Sequence, residues 1–125
     1  MKKIFAIFLL LTSTSFAVNS AELKFICYQD INECDTIADM AKSWEASSGH
    51  TLNIETVGYE VIREQLENQL ESGAAPDLAR VTNLGGLNKF YLDLKPYIDA
   101  TYWEQNYGAT LPWYRKPSGD DGIYG

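Results

Sequence analysis

The residues of this chain that could do chemistry are suited to recognition rather than to making or breaking bonds. Tyr28, Gln29 and Asp30 follow one apolar run, and Arg80, Thr82 and Asn83 sit at the end of a second. Carboxylate, carboxamide, hydroxyl and guanidinium groups give directed hydrogen bonds, and aromatic rings give flat apolar faces. A neutral polyol such as a sugar needs both. Trp113 and Tyr124 are further candidates, taken from a segment after Phe90 that is crowded with tyrosine and tryptophan. The plain alternative is that these aromatics are core and Arg80 a surface ion pair.

Catalytic signatures are missing. The sequence has no GxSxG, no cysteine beside a nearby histidine, no HExxH and no P-loop, so neither an enzyme nor a cofactor is expected. Glu64, Glu67 and Glu71, and likewise Asp120 and Asp121, read as solvated acidic faces. His50 reads as an exposed loop residue. With only two cysteines and this one histidine, the donors for a zinc site are lacking.

The chain of 125 residues carries 17 acidic against 10 basic residues, a net charge of −7. That balance argues against nucleic acid and against anionic lipid, both of which call for a basic face. Met1-Lys2-Lys3, the apolar run Ile4 to Leu11 and the small polar stretch to Ala17 have the order of a secretory signal peptide. The apolar run is too short to span a bilayer. Cleavage is expected after Ala17, or as late as Ser20, leaving 18–125 as a soluble exported domain. In an oxidising compartment Cys27 and Cys34 are expected to form a disulfide that shapes the segment Tyr28 to Glu33.

The elements that must position these groups follow from periodicity. Leu23 to Tyr28 is β-branched and aromatic, a first strand. Asn32 is placed to cap a helix, with Asp35 completing an approximate capping box; Ile37, Ala41 and Trp44 share one face, and Gly49 stops it. Thr51 to Val57 alternates as a second strand. Tyr59, Ile62, Leu66 and Leu70 mark a second helix, which Gly73 ends. Pro76-Asp77 introduces a third strand, Leu78 to Val81, and Gly85-Gly86 forms a tight turn opening a helix. A short helix is expected over Ala100 to Asn106, then a turn over Pro117 to Gly122 and a strand beginning at Ile123. The β-α-β-α-β order predicts an α/β fold with a parallel sheet and helices on its faces. Ligands of such sheets bind beyond the carboxyl ends of the strands, where both polar clusters fall.

The ordered set LKFICYQD, SWEASSGH, TLNIETV, LESGAAPDLARVTN, GGLNKFYLDLKPYID and DGIYG resembles the start of an extracellular solute-binding protein of a carbohydrate ABC importer, the maltose-binding-protein-like family. The resemblance implies the first lobe of a two-lobed periplasmic-binding-protein fold, with residues 18–125 a partial lobe that stops before the second. It implies capture of a mono- or oligosaccharide in the periplasm and delivery to a permease in the inner membrane. It also implies that Tyr28, Gln29, Asp30, Arg80, Thr82 and Asn83 supply sugar contacts, with Trp113 and Tyr124 as aromatics at the cleft edge. The residues leave two other readings open: the same fold taking a metal ion or polyamine, and a small, complete secreted interaction domain.

Overall fold

The computed structural model describes residues 19–115 and 120–124. The leader expected over residues 1–17 lies outside them, as do residues 117–119 of the expected turn. The elements are β1 (Glu22–Tyr28), α1 (Glu33–Ser48), β2 (Thr51–Val57), α2 (Tyr59–Ser72), β3 (Leu78–Ala79) and α3 (Ala100–Tyr107), with single 3-10 turns at Asn88–Phe90 and Leu111–Trp113. The three strands form a parallel sheet in the order β2-β1-β3. This is the open α/β sheet that the alternation of elements predicts.

β1 is the middle strand, and successive side chains along it point to opposite faces. Phe25 and Cys27 face α1, where they pack with Cys34, Ile37, Leu52 and Ile54. Ile26 and Tyr28 face the other way and pack with Ile62 and Leu66 of α2 and with Leu87. A helix therefore covers each face, which is why Phe25 to Tyr28 is an unbroken buried run rather than an alternating one. Gly49 and Gly73 both take φ of 73° and end α1 and α2 in the left-handed conformation that glycine adopts without a Cβ clash.

Several elements differ from expectation. β3 has two residues rather than four: pairing stops at Arg80, whose guanidinium donates to the Tyr28 carbonyl (3.1 Å) that a longer ladder would offer to the Thr82 N–H, and at the start of the strand the Lys24 N–H goes to the Asp77 carboxylate (2.8 Å) rather than to a backbone carbonyl. At the other end the Arg80 N–H still reaches the Ile26 carbonyl at 2.9 Å. Gly85-Gly86 opens no α-helix; a turn there leads only to the 3-10 turn at Asn88–Phe90. The strand expected at Ile123 is a single antiparallel bridge between Asp93 and Tyr124. It is held by the Leu94 N–H on the Ile123 carbonyl (2.7 Å) and by a Lys95–Asp121 ion pair (2.7 Å). His50 is half-buried rather than exposed, with Nδ1 accepting the Ala21 N–H at 3.1 Å. No helix among the described residues is long and apolar enough to cross a membrane.

Candidate functional site

The loop between β1 and α1 is shaped by side chains that reach back into it. The disulfide joins Cys27, the penultimate residue of β1, to Cys34, the second residue of α1, with Cα atoms 5.9 Å apart. Asn32 makes no side-chain cap. Gln29 caps instead, its Oε1 accepting the Cys34 N–H (3.0 Å) while its Nε2 donates to Asp35 (2.7 Å). Glu33 folds back over the loop, and its carboxylate accepts the N–H groups of Ile31 (2.7 Å) and Asp30 (3.3 Å).

Arg80 crosses from the end of β3 to this loop. Its guanidinium lies over the Tyr28 ring, 3.8 Å from the centroid, and donates to the Tyr28 carbonyl (3.1 Å) and to Glu33 (3.3 Å). The carboxyl ends of β1 and β3 are thus tied together by one cation, in a geometry that combines a π contact with charge-assisted hydrogen bonds. Tyr59, the first residue of α2, meets the edge of the Tyr28 ring at 5.1 Å, and its hydroxyl lies 3.4 Å from Thr82 Oγ1. Asn83 Oδ1 accepts the Gly86 N–H at 3.1 Å and closes the turn that follows. The carbonyl of Trp113 lies against Gly85, while Trp113 itself is 63% exposed.

The eight sequence candidates therefore divide. Tyr28, Arg80 and Thr82 form one connected cluster through Tyr59, and Gln29 and Asp30 belong to the loop that Glu33 and Arg80 hold. Tyr28 is only 9% exposed, with Arg80 over its face, so it supports the site from beneath. Gln29, Asp30, Thr82, Asn83 and Trp113 are the exposed members. Tyr124 is placed elsewhere. It is buried in the corner with Asp93 and Gly122, and its hydrogen bond to Asp120 raises its pKa. Sequence reasoning missed Glu33 and Tyr59. Both are adjacent to chain reversals, but their roles depend on partners that local patterning does not reveal. Two grooves of about 410 and 430 Å³ lie away from these residues, and none of the eight lines either. Among the described residues no group of His, Cys, Asp or Glu could hold a metal ion.

The hydrogen bond from Ile31 N–H, with further help from the Glu33 backbone and the Arg80 charge, holds the Glu33 carboxyl below its ordinary value of 4.5. A depressed carboxyl stabilises the fold fully above its unfolded-state pKa and loses that contribution as pH falls through the lower folded value. Side-chain NMR is expected to give Glu33 a midpoint below 4.5, and replacing Arg80 with alanine is expected to move it upward.

No protein-family model and no curated protein matches the chain. Solved structures do. A periplasmic solute-binding protein from Pectobacterium atrosepticum superposes with a TM-score of 0.61 at 20% identity, over 80% of this chain and 26% of that one. An ABC substrate-binding protein from Listeria monocytogenes, in complex with cycloalternan, superposes with a TM-score of 0.52 at 17% identity, over 66% of this chain and 24% of that one. The chain spans about a quarter of the length of each, and over that quarter it has the fold of a solute-binding protein's first lobe.

Proposed function

We propose that this chain is the first-lobe portion of a periplasmic solute-binding protein that captures a mono- or oligosaccharide and hands it to an ABC permease. The observation that carries the reading is the placement of exposed Asp30, Thr82 and Asn83 in the loops that follow the carboxyl ends of the paired strands β1 and β3, on a fold shared with binding proteins. Trp113, beside the same turn, offers an exposed ring. The role is binding rather than catalysis, since the cluster contains no nucleophile paired with a base.

A second half of the cleft belongs to this proposal. An apolar groove of about 430 Å³ runs along the outer edge of β3, lined in part by Leu66, Leu70, Leu78, Leu87, Phe90 and Leu92. Leu78 and Leu92 are exposed. A sheet edge with an apolar flank is a natural seat for a further strand. High affinity for a sugar needs walls on both sides of it, because a ligand site buries most of its ligand's surface.

Calorimetry against a panel of mono- and oligosaccharides tests this. The 125-residue chain is expected to bind weakly, and a version extended by the second lobe of a related solute-binding protein at least a hundredfold more tightly. Asp30→Ala is expected to weaken the extended version about tenfold or more, as for loss of one charge-assisted hydrogen bond. Tight saturable binding by the 125-residue chain alone would show that its cleft is already complete.

A further inference from the structure

We propose that Glu33 makes this site selective for neutral solutes by filling, with its own carboxylate, an anion hole formed by the N–H groups of Asp30 and Ile31 and the guanidinium of Arg80. The inference deepens the reading given above, since it names the class of solute the same loop would accept.

Two backbone N–H groups and a guanidinium converging on one point is the arrangement that holds a carboxylate or phosphate. In this chain the point is taken. Glu33 accepts Ile31 N–H at 2.7 Å and Asp30 N–H at 3.3 Å, and Arg80 reaches it at 3.3 Å. The two amides belong to the loop ahead of α1 and the cation to the end of β3, so the hole is assembled across the site rather than at a bare helix end. It is also reachable, because the Arg80 and Glu33 side chains are 25% and 36% exposed.

An acidic sugar entering here would have to displace an intramolecular carboxylate. A tethered group competes at an effective concentration of about millimolar or more, so a free anion starts at a disadvantage. The displaced Glu33 would then add its charge to those of Asp30 and Asp35 nearby, and all three repel the newcomer. A neutral hydroxyl meets neither obstacle: it can donate to Asp30 while the hole stays closed.

The test uses acetate as the simplest carboxylate, titrated into isotope-labelled chain while the Asp30 and Ile31 amide resonances are followed. Wild type and Glu33→Gln, whose carboxamide oxygen still accepts both N–H groups, are expected to show no saturable shift. Glu33→Ala and Glu33→Ser, examined in parallel so that either folded version suffices, are expected to show one, with apparent affinity at least tenfold above wild type. Adding Arg80→Ala to either is expected to abolish it. A saturable shift of these two amides in wild type, or none in a folded Glu33→Ala or Glu33→Ser, would overturn the proposal. Because acetate is not a sugar, failure here leaves the calorimetric result standing, and failure there leaves this one standing.

Discussion

Replacing Leu66 with alanine is expected to destabilise the chain by about 3 kcal/mol, within the range for buried leucine truncation. Leu66 is 2% exposed and belongs to the cluster with Ile26, Tyr28, Ile62 and Leu87 that joins α2 to the sheet. Its neighbours along the helix, Glu64, Gln65, Glu67 and Asn68, are exposed, so only Ile62 shares the deeply buried stripe. Small domains are stable by only about 5–15 kcal/mol, so the loss is a large fraction of the whole. Urea denaturation should show the midpoint fall with an unchanged slope. Leu66→Met, which nearly conserves volume, should cost less than about 1.5 kcal/mol. An equal loss from both changes would show that α2 is not anchored through this side chain.

Loss of the disulfide is expected to have the next largest effect. Cys27 and Cys34 are separated by seven positions, and closing so short a loop is worth about 2.5 kcal/mol on the chain-entropy estimate. Both residues are buried against Phe25 and Ile37, so Cys27→Ala with Cys34→Ala also removes packed sulfur from the α1 face. Melting of the native protein with and without reductant should show the loss from the bridge alone, and the double alanine change a loss at least as large. Intact mass should reveal two alkylated thiols only after reduction. Labelling of both thiols in unreduced protein would contradict the bridge.

The skeleton of the fold is legible in the sequence because its signals are local. Alternation in Thr51 to Val57, the stripe Ile62, Leu66 and Leu70, and glycine at positions 49 and 73 mark β2, α2 and two helix ends. The site is less legible because its shape comes from distant partners. Arg80 and Glu33 are 47 positions apart, and nothing near either one announces the other. Asn32 has the right type for a cap, yet Gln29 and Glu33 reach the loop amides with longer side chains and win. β3 is short for the same kind of reason, since the Arg80 side chain competes with a backbone N–H for the Tyr28 carbonyl. The Cys27–Cys34 bridge was readable, because the cysteine count is a property of the primary structure alone.

The hydrogen bond from the Lys24 N–H to the Asp77 carboxylate has a consequence for self-association. Fibrillar stacking needs a run of about six residues able to pair edge to edge with copies of itself. Here the β3 edge offers Leu78 and Ala79, with Pro76 two positions before Leu78 lacking an N–H and Asp77 turned inward onto Lys24. The apolar flank can therefore receive a strand that brings its own partners, while the edge itself is too short and too interrupted to template a copy. At this edge of the sheet, self-pairing is opposed by Asp77, Pro76 and the shortness of β3 together.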